Sequence, residues 1–254
     1  MVSDLNDAAR KFSAVYPVMD NAELRRTRGL KIAAIVREAM AGKKIETILD
    51  IGCSNALVLD TLVEELNPTF AIGIDMDAAV APPPTAKRNV AIGDAMALPL
   101  SPASIDVVIC NHTYEHVPDP QQMFAEIGRV LKADGIVYFS AMNARWPIEP
   151  HYHMPFIHWF PSGISRAILK YRGFPGGYLE RPLSTPRLKR LVSAFALQDY
   201  TVKVIAEPAK YHAQDIVRFG YFGRIYGLVA TIFYGLLPGY LWILRKRPVI
   251  ARRV

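Results

Sequence analysis

The chain has 254 residues, of which 51% are hydrophobic and 21% charged. This apolar fraction and a count of only two cysteines exclude a disordered chain, a collagen-like chain and a disulfide-stapled scaffold. We expect a cored globular protein, with Cys53 and Cys110 as free thiols. The first residues lack the apolar segment of a secretory signal, so we expect a cytoplasmic protein.

The net positive charge of the chain comes from its C-terminal part. The net charge is +7, yet residues 1–215 hold 23 basic and 23 acidic side chains. From Ile216 onward there are seven basic residues and no acidic one. Because this basic segment is also apolar, it favours an anionic membrane surface over a nucleic-acid groove as partner.

Helix-like and strand-like segments alternate along the chain, which is the pattern of a parallel sheet covered by helices. The spacing predicts a helix over 20–41, with Asp20 and Glu23 as a capping box, and a second helix from Leu57 to the Asn67-Pro68 break. A third helical face runs through Phe124, Ile127 and Val130 to a turn at Asp134-Gly135. The predicted strands are 45–51, 70–74, 89–92, 105–110 and 135–141.

The second half departs from a minimal α/β pattern. Thr185 as cap and Pro186 at the first position predict a helix, and alternation predicts a sixth strand over 197–206. Residues 142–184 form a connection of a length common in lids and binding loops, and 207–238 form a second extra segment.

A turn of small residues after the first strand carries the clearest functional signal. Gly52, Ser54 and Ala56 leave room for a ligand against the backbone, and the next helix begins with unpaired N–H groups. The second strand ends at Asp75, where a carboxylate can accept hydrogen bonds from both hydroxyls of a ribose. The third ends at Asp94, which suits the amino group of adenine. The pattern therefore predicts an adenosine site.

The chain contains the segments ILDIGCSNA, GIDMD, GDAMALPLSPASIDVVICNHTYEHVPDP and EIGRVLKADGIVYFS. Together they resemble the class I S-adenosylmethionine-dependent methyltransferases, in the small-molecule branch with the ubiquinone- and menaquinone-type enzymes. The resemblance is close over 45–141, although Ser54 and Ala56 stand where the family often has glycine. It implies one domain over 1–254 with a Rossmann-like, doubly wound α/β fold. The expected sheet has seven strands, mostly parallel with an antiparallel last strand, and helices on both faces.

The resemblance also implies S-adenosyl-L-methionine as cofactor and a set of residues that bind it. Those around its methionine part are Asp50, Gly52, Cys53 and Ser54, with Asn111 and His112 beside the methionyl group. Those around its adenosine part are Asp75 at the ribose, Met76 flanking the adenine, and Asp94 with Ala95 at the adenine edge.

A catalytic base is expected among the histidines, because methyl transfer to an oxygen acceptor requires removal of a proton. His116 resembles the base of some sugar and natural-product O-methyltransferases, but it also suits a helix cap. His112 is a second candidate. His151 and His153 lie on the long connection and could reach over the acceptor, or bond only to backbone and water.

Three other readings are disfavoured. A dinucleotide-binding dehydrogenase usually has glycine in the turn that binds the pyrophosphate, and here the bulky Leu57 stands at one of those positions. Asn111 to Tyr114 lacks the two prolines of the Asn-Pro-Pro-Tyr signature of nucleobase methyltransferases, so nucleic-acid methylation is a minor alternative. His151, His153 and His158 have only Glu149 nearby, so we expect no metal site.

The two extra segments predict the kind of acceptor. The first contains the aromatic residues Trp146, Tyr152, Phe156, Trp159, Phe160, Tyr171, Phe174 and Tyr178, which favour an apolar acceptor pocket, a lid or a small satellite core. The second leads into 20 uncharged residues over 225–244, long enough to span a bilayer. However, 239–246 resembles the last strand of the methyltransferase sheet, so we favour a helix over 214–237 followed by that strand.

We therefore expect O- or C-methylation of a hydrophobic or lipid-linked small molecule, with peripheral membrane contact through 214–247 on the inner face of a membrane. The alternatives are a cofactor-binding protein without catalysis and a membrane-associated assembly protein.

Overall fold

The structure is a computed structural model that describes residues 21–77, 81–149, 152, 154–174, 180–214, 216 and 222–247. Its helices are α1 (Ala22–Met40), α2 (Leu57–Leu66), α3 (Pro120–Val130), α4 (Ser162–Tyr171), α5 (Thr185–Leu191), α6 (Thr201–Ala206) and α7 (Gly223–Ile232). Its main sheet contains β1 (Thr47–Ile51), β2 (Phe70–Asp75), β3 (Arg88–Ile92), β4 (Ile105–Asn111), β5 (Leu131–Met142), β6 (Phe195–Asp199) and β7 (Gly239–Lys246).

The seven strands lie in the order β3-β2-β1-β4-β5-β7-β6. β1 to β5 are parallel, and β7 runs antiparallel between β5 and β6. The predicted fold class is thus confirmed, including the antiparallel last strand. Because the order reverses between β1 and β4, their carboxyl ends form the crevice where ligands bind in such sheets.

The central strands are buried on both faces, which explains why they read as continuous apolar runs. Val108 and Cys110 of β4 face one core with α3 and α5, whereas Val107 and Ile109 face a second core with α1, α2 and α6. The helices therefore cover both faces of the sheet, as expected.

Several predicted boundaries were wrong. The cap of α1 is Asn21, whose side chain accepts a hydrogen bond from the Leu24 N–H, and Asp20 lies outside the described residues. Ser184 caps α5, and the hydroxyl of Thr185 instead contacts the Tyr240 hydroxyl at 2.5 Å. The predicted turn at Asp134-Gly135 lies inside β5, where the pairing register with β4 shifts.

The predicted strand over 197–206 is also wrong in its second half. β6 ends at Asp199, and the chain then turns into α6. The Asp199 carboxylate accepts a hydrogen bond from the Thr201 N–H at 2.8 Å, which starts that helix, and Val204 packs into the core from it. The predicted strand was too long because the alternation of apolar and polar residues continues from β6 into α6.

The C-terminal apolar run divides into two elements. The described helix is α7, shorter than the predicted 214–237, and a single helical turn at Tyr234–Leu236 leads into β7. Within the described ranges, the helices are too short or too polar to cross a bilayer.

The long connection over 142–184 leaves and returns at the carboxyl end of β5. Asn143 pairs with Leu183 as an isolated bridge, so its two ends meet. The buried Tyr114 hydroxyl joins them, since it donates to the Met142 carbonyl at 3.3 Å and accepts from the Leu183 N–H at 3.0 Å. We call residues 142–184 the insertion.

Candidate functional site

The turn between β1 and α2 has an unusual backbone. Gly52, Ser54 and Ala56 have φ values of 75°, 50° and 57°. The Gly52 N–H donates to the Ile74 carbonyl at 2.7 Å, which holds the turn against β2. A Cβ at Gly52 would lie 3.0 Å from the Thr113 side chain. The turn therefore needs glycine for its conformation and for the close approach of the β4 end.

Asp75 at the end of β2 is bonded directly to this turn. Its Oδ2 accepts from the Ser54 N–H at 2.7 Å, and its Oδ1 accepts from the Asp77 N–H at 2.9 Å. A carboxylate has about four lone-pair sites, so two remain for a ligand. The half-buried side chain is thus fixed in place and keeps the acceptor capacity that a ribose diol requires.

Asp94 follows β3 in a second fixed turn. Its Oδ1 accepts from the Met96 N–H at 2.8 Å, and the preceding Gly93 N–H donates to the Asp75 carbonyl at 3.0 Å. Asp94 therefore lies beside Asp75 at the same edge of the sheet. Ala95 is buried, and Met76 is half-buried directly after β2.

Asp50, one residue before the end of β1, is a buried carboxyl next to a second one. Burial, and then the charge of Asp75, raise its pKa to about 8, although the charge of Arg25 opposes both. Arg25 is itself buried and donates to the Ser54 hydroxyl at 3.3 Å. Two adjacent carboxyl groups with one guanidinium favour a ligand that brings positive charge, as the ammonium and sulfonium groups of S-adenosylmethionine do. The residues present therefore fit the implied cofactor.

The two cysteines are buried free thiols, as expected. Burial raises the pKa of both far above the ordinary range, so neither is a nucleophile near neutral pH. The Cys53 side chain packs against Gly73, where an added Cβ would lie 2.5 Å from its sulfur. Any contact of Cys53 with a ligand would therefore come from its backbone.

The end of β4 holds a hydrogen-bonded histidine. His112 has a φ of 56° and lies between two buried side chains. Its Nδ1 is 3.3 Å from Glu115 Oε1, and its Nε2 is 3.1 Å from Ser140 Oγ on β5. Asn111, the last residue of β4, is half-buried and pairs with Ser140 in the sheet. The Thr113 hydroxyl donates to the Ile51 carbonyl at 2.8 Å, which joins this segment to the turn after β1.

The other histidines considered from the sequence have different positions. His116 is half-buried in the helical turn Tyr114–His116, after Glu115. His151 and His153 lie outside the described residues. His158 Nε2 is 3.1 Å from the Ala144 carbonyl, and burial lowers its pKa. No group of three or more His, Cys, Asp and Glu side chains suited to a metal ion is found among the residues that the structure describes.

The central part of the chain matches a known protein family. Residues 49–139 match the family described as Methyltransferase domain. Residues 49–139 are thus similar to a methyltransferase domain.

Methyltransferases are found both among the curated proteins with similar sequences and among the solved structures with a similar fold. The ubiquinone biosynthesis O-methyltransferase of Neisseria meningitidis serogroup A is 30% identical over 115 residues, which cover 41% of this chain and 46% of that protein. The chain thus spans about half the length of the curated relatives it matches. The plantazolicin methyltransferase BpumL, solved with S-adenosylhomocysteine (SAH), has a TM-score of 0.58 at 14% identity and covers 97% of this chain and 98% of its own.

The fold alone does not define the reaction. The [4+2]-cyclase SpnF has a TM-score of 0.52 at 16% identity, covering 85% of this chain and 81% of its own. Identities this low show the shared methyltransferase-like fold only. The reaction of this chain must be argued from its own residues.

The sequence analysis did not identify four residues of the site: Arg25, Thr113, Glu115 and Ser140. The contact of Glu115 with His112 could have been predicted from the sequence, because the two residues are three positions apart and such pairs are neighbours in a helical turn. Ser140 follows from the pairing of β4 with β5. Nothing in the spacing links Arg25 on α1 to the turn after β1.

Proposed function

We propose that this protein is an enzyme that transfers the methyl group of S-adenosyl-L-methionine to a small-molecule acceptor. The observation that carries this proposal is the Asp75 carboxylate, fixed against the turn of Gly52 and Ser54 and beside Asp94. When bound, the cofactor supplies an electrophilic methyl group. The residues of the chain then have to orient the acceptor, exclude water and receive a proton.

The predicted roles of the strand-end residues remain part of this proposal. Gly52 and Ser54 would face the methionine part, Asp75 the ribose and Asp94 the adenine edge. Histidines at the end of β4 favour an oxygen acceptor, whose proton they could take, and a ring carbon activated by its own substituents is the second choice.

We further propose that the acceptor is apolar or lipid-linked, on the basis of the insertion. Tyr152 and Phe174 pack edge to face at 5.0 Å and form a small satellite core with Ile157 and Leu169. Other rings do not belong to this core. Trp159 is 53% exposed, and the centroid of its ring lies 4.9 Å from that of Phe156. Exposed aromatic rings beside a ligand crevice suit an apolar substrate.

α7 exposes its large apolar side chains instead of burying them. Its buried positions are small: a Cβ at Gly227 would lie 2.8 Å from Ala206 Cβ on α6. Its outward positions include Leu228 at 64% and Ile232 at 68% exposure. An apolar patch of this kind marks an interaction surface.

Hydrogen bonds join the insertion to the segment that follows α7. The Asn143 side chain donates to the Gly235 and Leu237 carbonyls at 3.0 and 2.9 Å. The next residue, Ala144, accepts from the Trp159 indole N–H at 2.8 Å. The insertion and the segment after α7 therefore meet at the carboxyl end of β5, and we propose that the exposed rings of the insertion and the exposed face of α7 form one area there. We call this combined area the apolar surface, with Phe156, Trp159, Leu228 and Ile232 as its main members.

The distribution of charge favours an anionic membrane as the partner of the apolar surface. The two acidic residues of the insertion, Glu149 and Glu180, are buried. The chain from Ile216 onward is free of acidic residues and includes Arg224, Lys246 and Arg247. Apolar side chains flanked by cations suit the interface of an anionic bilayer, so we propose peripheral contact through 214–247 and the insertion.

Two experiments test these proposals. Incubation with methyl-labelled cofactor and a lipid extract should give a labelled lipid-soluble product. If cofactor binds and no extract yields a product, the non-catalytic cofactor-binding alternative replaces the enzyme.

Membrane contact is tested by co-sedimentation with phosphatidylcholine vesicles that contain or lack 30% phosphatidylglycerol. The protein should bind the anionic vesicles more strongly, and salt should weaken that binding. Leu228→Ser with Ile232→Ser should reduce it at least tenfold, whereas Leu24→Ser, on α1 with 54% exposure, should not. Equal binding by both variants, or none by the native protein, would contradict the contact.

A further inference from the structure

The hydrogen bonds of His112 define a chain of three side chains at the ends of β4 and β5. Glu115 Oε1 lies 3.3 Å from Nδ1, and Ser140 Oγ lies 3.1 Å from Nε2. The His112 N–H also donates to the Ser140 carbonyl at 3.1 Å, which fixes the backbone below the ring. Of the three side chains, only His112 is appreciably open to solvent, at 36% exposure.

Glu115 is an unusual residue to bury here. Its side chain is fully buried, and in the part of the chain that the structure describes Oε2 accepts no hydrogen bond. Burial acts to raise the pKa of this carboxyl, but the hydrogen bond and charge of His112, with the charge of His116, hold it below its ordinary value. An ionised carboxylate can only accept hydrogen bonds, so the nitrogen facing it must carry the proton.

An ionised Glu115 beside Nδ1 favours one tautomer of the ring. With Nδ1–H donating to Glu115, the Nε2 atom holds a lone pair and accepts from the Ser140 hydroxyl. Nε2 is the nitrogen that points toward β5, at the edge of the sheet where the predicted acceptor would lie.

We propose that Glu115 is a positioning residue that acts through His112, and that an acceptor hydroxyl takes the place of the Ser140 hydroxyl at Nε2. This inference rests on the proposed methyl transfer. The acceptor oxygen forms the new bond to the methyl carbon as the carbon–sulfur bond breaks, and the sulfur keeps that electron pair. The acceptor proton moves to Nε2, so that a positive imidazolium faces the Glu115 carboxylate.

A purely structural role for Glu115 gives a different expectation. Its backbone carbonyl accepts from the Arg181 N–H at 2.9 Å and so holds the end of the insertion. That contact involves no side-chain atom and persists in any Glu115 variant that folds. Side-chain substitutions therefore separate the tautomer effect from the anchoring of the insertion.

The first test needs no cofactor and no acceptor. Nitrogen-15 NMR of the histidine rings in the native protein, with His112→Asn for assignment, should show Nδ1 protonated and Nε2 unprotonated in His112. Glu115→Met, which has no acceptor atom of comparable strength, should return the ring to the Nε2–H form, and Glu115→Gln should keep part of the native form through its amide oxygen. A native ring with Nε2–H, or an unchanged tautomer in a folded Glu115→Met protein, would overturn the proposal.

Kinetics supply the second test once an acceptor is in hand. Glu115→Gln should lower kcat at least tenfold and leave the KM for the cofactor within twofold, whereas Glu23→Gln on the surface of α1 should change neither. A rise in KM at unchanged kcat would overturn the role of Glu115. Absence of methyl transfer in the native protein would instead reject the proposed function, and the NMR result would still decide the tautomer.

Discussion

The backbone N–H of Ser54 donates to Asp75 Oδ2 at 2.7 Å, so the turn after β1 and the end of β2 form one unit. The consequence is that the same carboxylate holds the turn in shape and presents acceptor atoms to a ligand. Hydrogen bonds from backbone N–H groups to a carboxylate are among the stronger ones in proteins. A change at Asp75 should therefore affect both the turn and cofactor binding.

Asp75→Ala should weaken S-adenosylmethionine binding by roughly 1–3 kcal/mol, since it leaves the Ser54 N–H and the ribose without a charged partner. Isothermal titration calorimetry measures this directly. Asp134→Asn, an exposed carboxylate paired with Lys43, is the control and should bind normally. A folded Asp75→Ala protein with native affinity would contradict the assignment of this residue.

Gly52 and Gly42 provide a matched pair for the turn. Both have positive φ values, 75° and 80°, but a Cβ at Gly52 meets Thr113 at 3.0 Å and a Cβ at Gly42 meets nothing within 4 Å. Each change to alanine should cost about 1–2 kcal/mol in the free energy of unfolding from backbone strain alone. Only Gly52→Ala should also abolish cofactor binding. Equal binding by the two variants, measured by calorimetry, would show that the turn tolerates a side chain.

The raised pKa of Asp50, about 8, predicts a pH dependence of stability. In the unfolded chain this carboxyl ionises near pH 4. Between about pH 4 and 8 the native state therefore holds a proton that the unfolded state has lost, and stability falls as pH rises. The contribution is at most about 1.4 kcal/mol per pH unit.

Urea unfolding at several pH values checks this expectation. Asp50→Asn should flatten the decline between pH 5 and 8, and Glu23→Gln, at an exposed site, should leave it in place. If the native protein and Asp50→Asn follow the same pH curve, Asp50 is ionised in the folded state and the account of its environment is wrong.

His116 separates two possible bases in the site. Since we propose that His112 takes the acceptor proton, His116→Ala should leave kcat and cofactor affinity near their native values, whereas a loss of kcat at native affinity would make His116 the base. His212→Ala, at an exposed histidine far along the chain, is the control. Full activity in His116→Ala would remove it as the base and leave His112 as the candidate within the described ranges.

The parts of the fold that the sequence predicted best are those governed by local rules. The spacing of Leu57 to Leu66 gave the helix α2, and the apolar run before Gly52 gave β1. The proximity of Asp75 at the end of β2 to Asp94 just after β3 could also be predicted, because a parallel sheet brings the carboxyl ends of its strands to one edge.

The parts that the sequence did not predict depend on contacts between distant segments. Thr201 extends the alternation of β6, yet the Asp199 side chain caps its N–H and turns the chain into α6. Arg25 reaches Ser54 from a separate helix, and Ser140 reaches His112 from the neighbouring strand β5. No local pattern encodes such pairs, since they arise from the packing of elements that are far apart in the chain.

The most direct measurement of the central claim is calorimetric titration of the purified protein with S-adenosylmethionine and with SAH. The account predicts a saturable heat of binding for both, with one site per chain, that Asp75→Ala weakens and Asp134→Asn leaves unchanged. Absence of binding heat for either compound over a range of temperatures, in protein shown to be folded, would contradict it.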